Sequence, residues 1–349
     1  MLFRRNAVLA ALAGFALAAV SVPAPALADR GAVDQFNRTT SLDIPREGRN
    51  VLVVEKSLDL AAGEARHLRG RLEAVSSTTG TVAMNATLIC NDQAGTKVGS
   101  SATSSRNHEG SDASYKDTGH LPLYVDMLFV APAAGTYLCG LYGLTDVSNA
   151  TDYHLAVVTG GKTWLQVSAE DQPGANWWRG PACSSSGDSV SCTYLGTSAK
   201  ADTFVFYNDG STPVKWRHAP GATAVQALAN VTVTTCYQGT KSCAGVPESE
   251  RLARTATSSS SVSFRMDVIQ LDAAGSHTCR LTQTTPVTNK ISDEAHHYVT
   301  YLSLPSVPVD SSCGDQFLLR VYVKHLSGSP IKIDGQQSTS LTNGIMMNL

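Results

Sequence analysis

One short pattern occurs twice in this chain and narrows the fold more than anything else in it. Thr87-Leu88-Ile89-Cys90 ends an apolar run, and Ala133-Ala134-Gly135-Thr136-Tyr137-Leu138-Cys139 ends another. Further on, Val233-Thr234-Thr235-Cys236 is followed by Ala273-Ala274-Gly275-Ser276-His277-Thr278-Cys279. A Gly-Thr-Lys follows the first cysteine each time, at 95–97 and 239–241, and a leucine lies two residues past the second, at Leu141 and Leu281. Around these markers run short apolar stretches at 51–54, 67–75, 82–90, 121–131, 135–141, 153–158 and 163–167, then at 201–208, 214–218, 224–236, 262–271, 276–281 and 297–304. Most are separated by Gly, Asn, Asp or Pro. Runs this short, punctuated by turn residues and rich in β-branched side chains, are strands. The one helix candidate, 222–229, runs straight into Val231-Thr232-Val233-Thr234 and is read as strand or turn. The expected fold is all-β, a duplicated sandwich whose sheets are pinned by disulfides.

All eight cysteines lie beyond residue 89. The start of the chain reads as an export leader: Arg4-Arg5, an apolar stretch over 7–22, and a small-residue cleavage site at Ala26-Leu27-Ala28, with Asp29 as the expected mature start. Twin-arginine export fits poorly, because that route carries proteins folded in a reducing space. An exported chain with an even set of cysteines reads as a disulfide framework. The repeat matches Cys90–Cys139 with Cys236–Cys279. Cys183 and Cys192 then close a small loop, and Cys243 and Cys313 are left to each other. A zinc site is disfavoured, since no CxxC pair and no finger-like histidine spacing occurs.

The predicted organisation is a leader over 1–28, an arm over 29–50, a first sandwich over 51–168, a linker over 169–182, a second sandwich over 183–309, and a C-terminal hairpin over 310–349 held back by Cys313. In the hairpin, Phe317 to Lys324 is mostly apolar and then alternates, and a Ser-Gly-Ser-Pro turn follows. Residues 98–118 and 245–261 read as long polar loops in matching places. Charged residues are 16% of the chain and the formal net charge is −2. With no basic cluster, nothing favours nucleic acid or an anionic membrane as partner. The leader's apolar stretch is too short for a comfortable membrane span, so membrane insertion is not expected.

The stretch 133–139 resembles the end of an immunoglobulin-like domain. There the sixth strand carries a tyrosine two residues before its cysteine, and that cysteine pairs across the sandwich. Tyr137 and Cys139 fit those places, Cys90 fits the second-strand partner, and 125–130 fits the fifth strand. The second copy has His277 in place of the tyrosine. The tryptophan that usually follows the first cysteine is absent from both copies. The resemblance implies two tandem disulfide-pinned immunoglobulin-like β-sandwiches. That fold serves adhesins, receptors, chaperones and accessory modules of enzymes, so it says little about activity.

Candidate sites are few. Trp177-Trp178 could stack on sugar rings, with Asn176 and Arg179 as polar partners; the alternative is that both rings fill the groove between the sandwiches. The loop Cys183–Cys192 would present a constrained polar turn to a partner cleft. Gly187-Asp188-Ser189 within it matches the start of an esterase nucleophile motif, in an unsuitable place. His108, Glu109, Asp112, Asp117 and His120 lie close in sequence without calcium-loop spacing. His154, His296 and His297 flank Tyr153 and Tyr298 on late strands. No Gly-x-Ser-x-Gly, His-Glu-x-x-His or phosphate-loop motif occurs, and no cofactor or metal is called for. The sequence points to a secreted, non-catalytic binding or structural protein with a protein or polysaccharide partner at the cell surface. The alternatives are an extracellular hydrolase or hydrolase inhibitor presenting the Cys183–Cys192 loop, and self-association through the C-terminal hairpin.

Overall fold

The computed structural model describes residues 33–46, 48–76, 82–108, 120–145, 154–178, 192–207, 214–253, 255, 259–292, 297–335 and 342–349. The leader, Cys183, Arg179, Gly187-Asp188-Ser189, Glu109, Asp112, Asp117 and His296 lie outside the described residues.

Ten strands come first: β1 (Val33–Asn37), β2 (Asp43–Pro45), β3 (Val51–Leu60), β4 (Ala65–Ser76), β5 (Val82–Asn91), β6 (Lys97–His108), β7 (His120–Val130), β8 (Gly135–Leu144), β9 (His154–Val157) and β10 (Trp164–Ser168). Twelve follow: β11 (Gly174–Trp178), β12 (Thr193–Leu195), β13 (Asp202–Phe206), β14 (Trp216–Arg217), β15 (Ala224–Thr235), β16 (Ser259–Leu271), β17 (Thr278–Gln283), β18 (Val287–Ser292), β19 (Tyr298–Pro308), β20 (Gln316–Ser327), β21 (Ile331–Ile333) and β22 (Asn343–Asn348). Sheet I has the order β1-β10-β4-β9-β2, with β7 on the other side of β4; sheet II is β3-β8-β5-β6. Sheet III is β11-β22-β15-β21-β12 with β19 beside β15; sheet IV is β13-β20-β16-β17, with β14 beside β20 and β18 beside β16. Sheets I and II close over one core that includes Leu68, Leu72, Leu88, Val125 and Leu141. Sheets III and IV close over another that includes Val231, Phe264, Met266, Phe317 and Val321. The protein is all-β and consists of two β-sandwiches.

The two halves share one pairing order. The succession β1-β10-β4-β9-β2 recurs as β11-β22-β15-β21-β12, and β3-β8-β5 recurs as β13-β20-β16. The cysteine pattern follows a different alignment, because it sets Cys236, at the end of β15, against Cys90 on β5, whereas β15 holds the place of β4. The matching fragments are matching turns. Gly95, Gly239 and Gly275 each adopt positive φ, and Asp92 and Asp272 each accept backbone hydrogen bonds across their turn. Turn chemistry recurs wherever a hairpin needs it.

This changes the disulfides. Cys90 pairs with Cys139 as expected, but within sheet II. The two residues are register partners on neighbouring strands β5 and β8, 4.0 Å apart at Cα. Their side chains share a face and meet without crossing the core. The expected Cys236–Cys279 and Cys243–Cys313 bridges are replaced by Cys236–Cys243 and Cys279–Cys313. Cys236 leaves sheet III while Cys279 sits on β17 at the edge of sheet IV, so each takes a cysteine from its own neighbourhood. Cys192 is disulfide-bonded. Tyr137 does form the expected corner, donating to Ala133 O at 2.6 Å. His277 instead turns outward onto the Asp272 carboxylate at 3.2 Å.

Several segments read as irregular belong to sheets. In the arm, β1 pairs with β10 and β2 with β9. Residues 174–178 of the linker are β11, beside β22. The loop read over 98–118 begins with most of β6, whose Ser101, Thr103, Ser104 and Ser105 are buried. A buried Ser/Thr strand lacks the apolar alternation that marks strands in sequence. The C-terminal segment supplies β20, enclosed between β13 or β14 and β16, and β22, enclosed between β11 and β15. Both strands therefore have intrachain partners on each side.

The halves meet where β6 and β7 lie against the outer face of sheet III. Ala65, Leu128, Leu228, Ile345 and Met347 form an apolar cluster there. Tyr301 donates to Tyr124 O at 2.5 Å and accepts from Tyr124 N at 2.9 Å. Asn343 Nδ2 donates to Asp126 O at 3.2 Å. Beneath them His67 and Arg69 flank the Asp126 carboxylate at 3.0 and 3.7 Å. Burial alone would raise the Asp126 pKa, but the Arg69 charge and the His67 hydrogen bond hold it below the ordinary value.

Candidate binding surface

Strand alternation sets which side chains leave each sheet. In β20, Phe317, Leu319, Val321 and Val323 fill the second core, which turns Arg320 and Tyr322 to the outer face of sheet IV. In β16, Phe264, Met266 and Val268 face inward, and Arg265 and Asp267 outward. In β13, Val205 faces inward, and Phe204 and Phe206 outward. Register then aligns these side chains in two rows. Phe204, Tyr322 and Arg265 face one another across three strands. In the next row stand Phe206, Arg320, Asp267 and Gln283.

The aromatic part is a partly exposed platform. Phe204 lies 5.2 Å from Tyr322 and 6.5 Å from Phe206, ring centre to ring centre. Solvent-facing sides of antiparallel sheets usually carry polar residues, and the three neighbouring rings there combine cross-strand pairing within the sheet with a partly exposed aromatic surface.

The charged part is centred on Asp267, which is 0% exposed although it lies on the outer side of the sheet. Its Oδ1 accepts from Arg265 Nε and Gln283 Nε2, each at 2.9 Å. Its Oδ2 accepts from Arg320 Nε at 3.0 Å and, more distantly, from Arg265 Nη2 at 3.4 Å. The two arginines thereby roof the carboxylate. The Arg320 guanidinium also lies 3.8 Å from the Phe204 ring centre, and that of Arg265 lies 5.2 Å from Tyr322. Arg320 Nη1 and Nη2 and Arg265 Nη1 have no hydrogen-bond partner among the described residues. Tyr322 donates to Asp202 Oδ2 at 2.7 Å, and this bond, with burial and the Asp202 charge, raises the tyrosine pKa.

Those of the residues singled out in sequence that are described fall elsewhere. Trp177 packs on the second core opposite Gly344. Asn176 lies opposite Ile345 and lines a groove of about 280 Å3 with Val98, Gly99, Ser100 and Met127 to Val130. Its Oδ1 is buried without a hydrogen-bond partner. The Trp178 backbone lies opposite Asn343; its side chain lies outside the described residues.

Among the histidines, His120 contacts Glu73 Oε1 at 2.8 Å, and His154 lies 3.8 Å from Asp43. His297, with φ of 65°, is buried with Asp334 Oδ2 at 3.1 Å. Thr234 Oγ1 donates to that same oxygen at 2.8 Å, and Lys332 Nζ lies 3.2 Å from Oδ1. Here the carboxylate sits between hydroxyl and imidazole, whereas a nucleophilic triad needs the imidazole in the middle. No group of three potential metal ligands occurs among the described residues, and no helix among them is long and apolar enough to cross a membrane.

The sheet IV platform escaped sequence reading because its members come from three distant segments. Only the alternation of 317–324 signalled that Arg320 and Tyr322 share a face.

No family model matches the chain, and no curated protein is similar to it. Among solved structures it is similar to the tandem CBM22-1–CBM22-2 domain of Paenibacillus barcinonensis Xyn10C, with 11% identity over 92% of both chains and a TM-score of 0.23. It is also similar to the infectious bursal disease virus Gt strain, with 9% identity over 93% of this chain and 79% of that one and a TM-score of 0.27. Likenesses this slight carry no argument about function.

Proposed function

We propose that this is an exported glycan-binding protein that holds its ligand on the outer face of sheet IV. The observation that carries the reading is the set of three partly exposed rings, Phe204, Phe206 and Tyr322, beside guanidinium groups with unused donors. Pyranose rings present apolar C–H faces that stack on aromatic faces, while their hydroxyls need fixed polar partners. The bridges Cys90–Cys139, Cys236–Cys243 and Cys279–Cys313 suit an oxidising compartment, which supports action outside the cytoplasm.

Affinity electrophoresis through gels containing soluble polysaccharides tests this. At least one polysaccharide should retard the protein, and Phe204→Ala with Tyr322→Ala should abolish the retardation while Asn176→Ala leaves it unchanged. Retardation that survives the double substitution and is lost with Asn176→Ala would move the site to the groove between the sandwiches. No retardation in any gel would end the glycan reading.

A further inference from the structure

We infer that the glycan taken by sheet IV is anionic, a polysaccharide bearing carboxylate or sulfate groups, and that Arg320 and Arg265 take the anionic group while the rings take the sugar face. This rests on the glycan reading above and narrows it. The charge of the face carries the inference. Ser263 on β16 has Lys324 and Thr288 as register partners, and Ser261 has Lys290, so Lys324 and Lys290 share the outer face with the arginines. Both lysines are exposed. Among the described residues of β13, β16, β18 and β20, the face therefore holds four cations, Arg265, Lys290, Arg320 and Lys324, against two carboxylates, Asp202 and Asp267, while at the β14 end Arg217 is paired with Asp315. The whole chain carries a formal charge of −2, so this face is locally positive on a slightly acidic protein. A field of that sign favours an anionic partner.

The geometry adds specificity to the charge. Asp267 binds each arginine through Nε, which fixes the guanidinium planes and leaves Arg320 Nη1 and Nη2 without partners among the described residues. Two free donors on one fixed plane match the paired oxygens of a carboxylate or sulfate. The phenyl ring of Phe204 against Arg320, at 3.8 Å, restricts the side chain further, so little ordering remains to be done on binding. A neutral glycan would stack on the same rings but leave those donors and the excess charge unanswered.

The test compares ligands that differ only in charge. Calorimetric titration with polygalacturonate and with its fully methyl-esterified form, and with dextran sulfate and dextran, separates carboxylate, sulfate and neutral glycan. At least one anionic polymer should bind tenfold or more tightly than its neutral counterpart, and that advantage should shrink as salt rises from 50 to 500 mM, roughly the range over which screening shortens the Debye length severalfold. Arg320→Gln should remove most of the advantage, and Arg320→Lys should restore only part, because a point charge lacks the fork. Lys290→Gln with Lys324→Gln, two exposed positions whose loss leaves Asp267 paired, should flatten the salt dependence in a protein of unchanged melting temperature. Equal affinity for charged and neutral partners, or binding indifferent to salt, would overturn the anionic assignment and leave the glycan reading standing. Binding to none of the four polymers would overturn both.

Discussion

Asp267→Asn isolates the interaction on which the sheet IV surface is built. The substitution keeps shape and removes one charge. In the native protein the carboxylate accepts four contacts, three at 2.9–3.0 Å and one at 3.4 Å, from Arg265, Arg320 and Gln283. Breaking a fully buried ion pair costs about 3–5 kcal/mol. The Asp267 side chain is 0% exposed, but those of Arg265 and Arg320 are 29% and 27% exposed, so water recovers part of their solvation. The expected loss is therefore about 2–3 kcal/mol, below the fully buried range and above the ~1 kcal/mol ceiling of an exposed pair. Trp177 and Trp216 pack on the second core, so tryptophan fluorescence in urea follows this half; Trp164→Phe removes the contribution of the first. The midpoint should fall while the slope m stays constant. A loss under about 0.5 kcal/mol would mean that the carboxylate behaves like an ordinary surface pair and does not fix the arginines, and the argument for preset donors would fail with it.

Three further outcomes follow from the same structure. Tyr301→Phe removes the hydroxyl that both donates to and accepts from the Tyr124 backbone, and should cost about 1–3 kcal/mol for the buried groups left unsatisfied, read as a lower melting temperature. Asp126 has a folded pKa below its ordinary value of 3.8, so its stabilisation is complete at neutral pH and is lost as pH falls through the folded value; Asp126→Asn should flatten the dependence of melting temperature on pH below about 4, and an unchanged acid limb would refute the assignment. The bridges span separations of 49, 34 and 7 residues; in the chain-entropy account their removal by paired Cys→Ser substitutions should cost about 4, about 4 and about 2 kcal/mol respectively, so loss of Cys236–Cys243 should be the mildest in differential scanning calorimetry.

The strand content of this chain was legible because Val, Ile, Thr and aromatic residues cluster between Gly, Asn, Asp and Pro turns, and sheet propensity follows that pattern. The Tyr137 corner was legible because it needs only a tyrosine and a backbone four residues away. Register was not. Whether Cys236 meets Cys243 or Cys279 depends on which sheet each strand joins, and the repeated Ala-Ala-Gly turns suggested the wrong correspondence. Strand β6 was hidden for a different reason: Ser101, Thr103, Ser104 and Ser105 are buried although polar, Ser101 against Asn343, so burial left no apolar trace. The sheet IV platform combines both difficulties. Its outward residues alternate legibly within each strand, but Phe204, Arg320 and Asp267 become neighbours only when β13, β20 and β16 are paired.

Hydrogen–deuterium exchange with and without polygalacturonate, or dextran sulfate where that is the polymer bound in the titration, is the most direct test of where this protein takes its ligand. Slower exchange should appear in peptides covering 202–206 and 316–327, with residues 174–178 unaffected. Protection confined to 174–178, or none anywhere at a saturating concentration of polymer, would contradict the placement of a glycan on the outer face of sheet IV.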